Sequence, residues 1–173
     1  MPAGALPQTI DAWITGLKDH SFEYLWVKPS ATAWSLGQLY MHLIRNTDFF
    51  LEQARICCGS DEHSFEKMSP AAERMFRNDA FPDAAIEGPA DNALTSQPLN
   101  KEQLMEGLQR IKHEAILVAA LVQESIFRGK TRHPGLQYFN AAEWLQFAEM
   151  HFRHHLRQHQ RIVEWLEMNY PGK

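Results

Sequence analysis

Glu149-Met150-His151-Phe152-Arg153-His154-His155-Leu156-Arg157-Gln158-His159 holds four of the chain's nine histidines within nine positions. It lies inside a stretch, Ala141 to Met168, that reads as one long helix. His151 and His155 are four apart. At about 3.6 residues per turn they stand one above the other on a single face. Two imidazoles so placed can hold one metal ion with bonds of roughly 2.0–2.1 Å. An ion needs at least a third protein ligand, so the rest of the chain is read for one.

The helix-four face can be laid out at about 100° per residue. His151, His155, Gln158 and Ile162 then fall together, with Trp144 and Phe147 on the same side. This favours His151 and His155 as an inward ligand pair, with Gln158 bonding to one of the rings from behind. His155 and His159 share the same spacing, but their centre is rotated away from Trp144 and Phe147. Outside helix four, His42 is the histidine in the middle of a strong helix pattern, flanked by Leu39, Tyr40, Met41, Leu43 and Ile44. If the apolar faces of the two helices meet, His42 completes a three-histidine site. Three neutral ligands leave coordination positions open, as in catalytic rather than structural zinc. The competing reading is that His42 is a satisfied core residue and that the helix-four cluster is polar and solvated.

Working outward, the spacing of Ile10, Trp13, Ile14, Leu17, Phe22, Leu25 and Trp26 predicts a first helix from about Gln8 to Val27, stopped by Lys28-Pro29-Ser30. Ser35-Leu36-Gly37-Gln38 is a capping box that starts a second helix, with Trp34 as a hydrophobic staple. That helix fades near Cys57-Cys58-Gly59. From Ser60 to Leu99 prolines break the pattern, with one short helix at Ala71–Arg77. A connection this long is expected to be a crossover or lid across one end of a bundle. A third helix starts at Asn100 and ends before Gly129. Lys130 to Phe139 is expected to be a loop because of Pro134-Gly135. Asn140-Ala-Ala-Glu143 caps the fourth helix. No strand-like alternation persists anywhere. The expectation is an all-α four-helix bundle forming a single domain over residues 1–173. Bundles build metal sites from side chains on facing helices.

Composition narrows the function classes. A net charge of −4 with scattered basic residues provides no field for nucleic acid. Arg153, Arg157 and Arg161 have the spacing of a solvated helix face. No apolar run reaches a membrane span, and no secretory leader is visible. The only cysteines, Cys57 and Cys58, are neighbours. They cannot build a disulfide framework and read as two small buried residues, so the cytoplasm is the expected compartment. Position 152 is Phe, so HExxH and its general base are absent. Glu-x-x-His, CxxCH, Gly-rich phosphate loops and G-x-S-x-G are also absent, which argues against di-iron, haem, nucleotide and serine-hydrolase chemistry.

Three segments together resemble the DinB/YfiT-like superfamily of metal-dependent enzymes. They are Trp34-Ser35-Leu36-Gly37-Gln38-Leu39-Tyr40-Met41-His42-Leu43, then His133-Pro134-Gly135-Leu136 with Glu143-Trp144-Leu145, and the H-x-x-x-H-x-x-Q run from His151 to Gln158. Each motif is short, and their combination in order from about residue 8 to 168 is what is specific. The resemblance implies an up-down-down-up bundle with a long crossover between the second and third long helices. It implies a divalent metal, zinc or nickel, on His42, His151 and His155. It also implies a low-molecular-weight thiol activated by the ion, as in thiol-dependent S-transferases and isomerases of that family.

Two functions follow as expectations. In the first, a His₃-bound ion activates a thiol or water for transfer to, or hydrolysis of, a small molecule; His133 at the mouth is a candidate for acid–base work, set against the favoured reading that it is simply a loop residue. In the second, the metal only stabilises a bundle that acts as a binding module. Helix stripes rich in Trp, Phe and Met can also bury a homodimer face.

Overall fold

The computed structural model describes residues 5–82 and 94–170. Eight elements follow in order: α1 (Ala5–Lys18), α2 (Phe22–Trp26), α3 (Leu36–Cys57), α4 (Pro70–Asn78), α5 (Lys101–Glu124), β1 (Lys130–His133), β2 (Gln137–Asn140) and α6 (Ala141–Asn169). The four long helices α1, α3, α5 and α6 make the bundle.

Side-chain pairs fix their directions. Asp48–Arg110 and Arg55–Glu114 run in step, so α3 and α5 are parallel. Lys112–Asp11 and Lys101 Nζ to Lys18 O run in opposite order, so α1 and α5 are antiparallel. His42 meets His155 while Phe50 meets Phe147, which sets α3 antiparallel to α6. Thr9 meets Glu149 and Trp13 meets His159, which sets α1 parallel to α6. This is an up-down-down-up bundle. Two parallel neighbours, α3 and α5, require the chain to return between them, and residues 58–82 and 94–100 are the described parts of that crossover.

The core fills the space where these stripes face each other. Leu39, Leu43, Leu104, Leu108, Ile111, Phe152 and Leu166 are all fully buried. On each helix they repeat at three- and four-residue spacing, the period that puts one stripe inward. The described parts of the crossover are tied down rather than loose. Trp26 Nε1 donates to Pro98 O (2.9 Å), and Gln38 Nε2 donates to Thr95 O (2.6 Å). Pro89 and its neighbours from 83 to 93 lie outside the described residues.

Three expectations need correction. The first helix does not run unbroken from Gln8 to Val27. It stops at Lys18, and Ser21 starts α2 by accepting a hydrogen bond from Tyr24 N (3.3 Å). Ser offers its hydroxyl to the backbone and so favours a cap over a helix interior. The stretch Lys130–Phe139 is not a plain loop. It is an antiparallel hairpin with Lys130 opposite Asn140 and His133 opposite Gln137. Four-residue strands are too short for alternation to show in a sequence. Arg153 is no member of a solvated face. Its guanidinium holds the buried carboxylate of Glu149 (2.8 Å) and donates to Asp79 O (2.8 Å), where α4 ends.

The short helix in the crossover is α4. It starts one residue before the expected Ala71 because Pro70 sits at its first position and Ser69 caps it. Cys57 and Cys58 are free and buried, and burial raises both thiols above their ordinary range. Neither is a ready nucleophile. No described helix is long and apolar enough to cross a membrane.

Candidate metal centre

Two capping boxes set the register of the site. Ser35 Oγ accepts from Gln38 N (3.1 Å) and Gln38 Oε1 accepts from Ser35 N (3.1 Å), so α3 begins at Leu36 and His42 falls on its second turn. Asn140 Oδ1 accepts from Glu143 N (2.9 Å) and Glu143 Oε2 accepts from Asn140 N (2.7 Å). That start places His151 and His155 on consecutive turns, on the stripe with Trp144 and Phe147. Trp34 is not a staple alone; its ring stands 4.8 Å from that of His42 and walls the site.

The three rings converge. His42 Nε2 lies 3.1 Å from His151 Nε2 and 3.2 Å from His155 Nε2, and the latter two are 3.2 Å apart. All three residues are less than a tenth exposed. Hydrogen bonds among the rings cannot account for this triangle. His155 Nδ1 sits 2.9 Å from Gln158 Oε1, an oxygen that can only accept, so the His155 proton is on Nδ1. Its Nε2 therefore presents a bare lone pair to two neighbouring nitrogens. His151 Nδ1 is buried with no hydrogen-bond partner among the described residues.

The charge state agrees. Burial, and then the neighbouring rings, hold His151 well below its ordinary value. Burial lowers His155 to about 4, against the opposing effect of the hydrogen bond it donates to Gln158 Oε1. At neutral pH these two rings are uncharged and ready to take a cation without first losing protons.

The spacing suits a small divalent ion. Nitrogens 3.1–3.2 Å apart lie on a circle of about 1.8 Å radius, less than a Zn–N bond of about 2.0–2.1 Å. His42, His151 and His155 would together hold such an ion, and three protein donors would leave it positions for other ligands. Among the described residues His42, His151 and His155 are the one group of histidines, cysteines or carboxylates close enough to hold an ion.

The other histidines go elsewhere. His159 faces Trp13 (5.1 Å) and His20 (5.9 Å) in the next layer, so His155 and His159 do not form the ligand pair. His154 stacks on Phe81 (5.0 Å) at the rim. His133 is a strand residue packed against Phe139, Trp144 and Phe147. Burial lowers it to about 4, so at neutral pH it does not shuttle protons as the sequence suggested.

Three contributors were not foreseen. Asn46, one turn beyond His42, brings its amide nitrogen to 3.0 Å from His42 Nδ1. The i,i+4 spacing from His42 was the signal that could have found it. Phe50 and Phe81 pack against His151, at 5.5 and 6.1 Å. Gln158, by contrast, is where its spacing predicted. Gln158→Ala is expected to weaken zinc binding about 10–100-fold, the usual cost of removing a partner behind a ligating histidine. Calorimetric titration with zinc checks this, with circular dichroism to show that the helices persist.

No curated protein and no solved structure matches the chain. A family model described as the DinB superfamily matches residues 5–159, which takes in α1 through the whole histidine run. With that match spanning the bundle and all three converging rings, the chain belongs to the DinB superfamily.

Proposed function

We propose that this chain is a metal-dependent enzyme whose ion, zinc or nickel, is held by His42, His151 and His155 and acts on a small molecule. The observation that carries the reading is the composition of the donor set: three imidazoles, two of them held neutral, and no carboxylate or thiolate among the described residues that could join them. A divalent ion on three neutral donors keeps its full charge and its open positions, whereas structural sites close with four protein ligands. Bound there, such an ion supplies Lewis acidity, lowering the pKa of a thiol or water for transfer to, or hydrolysis of, a small electrophile.

The chain's own part is to hold and shield. Gln158 keeps the His155 proton on Nδ1 and so leaves Nε2 free to ligate. Trp34, Phe50 and Phe81 surround the rings with apolar surface, which excludes water and strengthens any charge interaction inside. A low-molecular-weight thiol is the favoured nucleophile, since a thiolate is the better partner for an uncompensated divalent charge on nitrogen donors.

The test is a thiol titration of cobalt-substituted protein. A new sulfur-to-cobalt charge-transfer band that saturates with 2-mercaptoethanol supports the reading. Cobalt that shows no spectral response to thiol, azide or water exchange would mean a closed site and a purely structural ion.

A further inference from the structure

The three converging rings are not supported alike. Gln158 Oε1 takes the Nδ1 proton of His155 (2.9 Å), while His151 Nδ1 is buried with no hydrogen-bond partner among the described residues. Beside His42 stands the side-chain amide of Asn46, one turn further along α3. The i,i+4 spacing on one helix keeps these two side chains together. One end of the amide lies 3.0 Å from His42 Nδ1 and 3.0 Å from His42 Nε2. It therefore borders the ring edge that joins the two nitrogens, and only one of them can offer it a hydrogen.

Which end of the amide belongs there follows from the ring's task. His42 Nε2 lies 3.1 and 3.2 Å from the Nε2 atoms of His151 and His155. To bring a lone pair to a shared ion at that point, the ring must carry its proton on Nδ1. An amide nitrogen beside Nδ1–H sets donor against donor, whereas the amide oxygen accepts. The two ends have the same shape, so hydrogen bonding decides between them. A half-turn of the amide puts Oδ1 in place of Nδ2. His42 then matches His155, since each gives its Nδ1 proton to a carboxamide oxygen of its own helix. Neither of these acceptors is a carboxylate. A carboxylate behind a ligating imidazole orients the ring and also raises its basicity. An amide orients the ring and adds no charge.

We propose that Asn46 is a positioning residue whose amide oxygen fixes His42 as the Nδ1–H tautomer, and whose neutrality leaves the charge of a bound ion for an added anionic ligand. The inference rests on the metal reading above. It makes two demands of position 46 that can be separated: an acceptor for the ring, and no charge.

The experiment compares the full-length parent with N46L and N46D, using cobalt as the metal and azide as the added anion. N46L keeps the volume and removes the acceptor. It is expected to weaken cobalt about 10–100-fold, the usual cost of losing the partner of a ligating histidine. N46D keeps an acceptor and adds a negative charge. It is expected to bind cobalt at least as tightly as the parent and azide about 3–10-fold more weakly, the effect of one like charge a few ångströms away in a partly solvated site. Metal and anion affinities moving apart in N46D is a pattern that a merely structural role does not produce. Cobalt affinity in N46L equal to the parent's would overturn the proposal, as would a cobalt loss in N46D as large as in N46L. Azide binding in N46D as tight as in the parent would overturn its second half. Should N46L not fold by circular dichroism, N46D and the parent still decide. In ¹⁵N-resolved spectra the zinc-loaded parent should show His42 as the Nδ1–H tautomer, and an Nε2–H tautomer overturns the proposal without any variant. A parent that binds no cobalt defeats the metal reading and this one together, a result distinct from a parent that binds cobalt and an N46L that matches it.

Discussion

His42→Ala, His151→Ala and His155→Ala should each lower zinc affinity at least a hundredfold, while His154→Ala and His159→Ala should change it by less than about twofold. The magnitude comes from dividing an apparent zinc binding free energy of about 10–16 kcal/mol among its ligands. One ligand of the set is then worth roughly 3–5 kcal/mol, or about two to four powers of ten. The contrast matters more than the absolute loss. All five histidines sit on α3 or α6, and four lie within the same nine positions. Only three direct Nε2 to a common point. A graded loss shared by all five would mean a diffuse histidine patch and not a centre. The measurement is competition calorimetry against a chelator of known affinity, with circular dichroism on every variant.

The second large effect is acid destabilisation of the chelator-treated protein. Burial lowers His133, His155 and His159 to about 4, against an ordinary 6.5, and also holds His151 well below its ordinary value. Between pH 6.5 and 4 the unfolded chain takes up protons that the folded chain refuses. The unfolded state then binds more protons, so stability rises with pH across this window. The contribution is fully present above pH 6.5 and is lost as pH falls toward 4. A fall from 6.5 to about 4 is worth at most roughly 3–4 kcal/mol per ring. His133 and His159 are partly open to solvent and count for less. The sum is on the order of 5 kcal/mol, comparable with the net stability of many domains. Urea midpoints at pH 7.5, 6.5, 5.5 and 4.5 should fall steadily below pH 6.5. A midpoint that stays level down to pH 5 would show that these rings are hydrated rather than buried.

The parts of the fold that were legible in the sequence are those governed by local chemistry. Ser35 with Gln38, and Asn140 with Glu143, announce helix starts through side chains that bond to the nearest backbone N–H groups, and both boxes are formed. With the starts fixed, the inward positions of His42, His151 and His155 follow from a constant turn angle. Gln158 was legible for the same reason, lying three residues from His155 on one face.

What was hidden depends on contacts between distant segments. The break at Asp19-His20-Ser21 shows in the apolar spacing of Trp13, Leu17, Phe22 and Leu25 only as a single five-residue step from Leu17 to Phe22, which a reading over the whole stretch passes over. The hairpin at Lys130–Asn140 is held partly from outside, by Lys130 N donating to Glu62 O (2.8 Å) and Ser69 N donating to Leu136 O (2.9 Å). Neither partner is near in sequence. In the sequence Arg153 reads, with Arg157 and Arg161, as part of a solvated helix face. The Glu149 carboxylate is buried and the Arg153 side chain half-covered, because Thr9 of α1 and Asp79 at the end of α4 bond to them. A helix wheel drawn for α6 alone cannot show that its outer flank is covered.

X-ray absorption at the zinc edge of the loaded protein is the most direct test of the convergence itself. Multiple-scattering features from three imidazoles at about 2.0–2.1 Å, plus at least one exchangeable light atom that sulfur replaces when thiol is added, is the expected spectrum. Two or fewer imidazoles, or a fourth protein ligand that thiol cannot displace, would contradict an open centre on His42, His151 and His155.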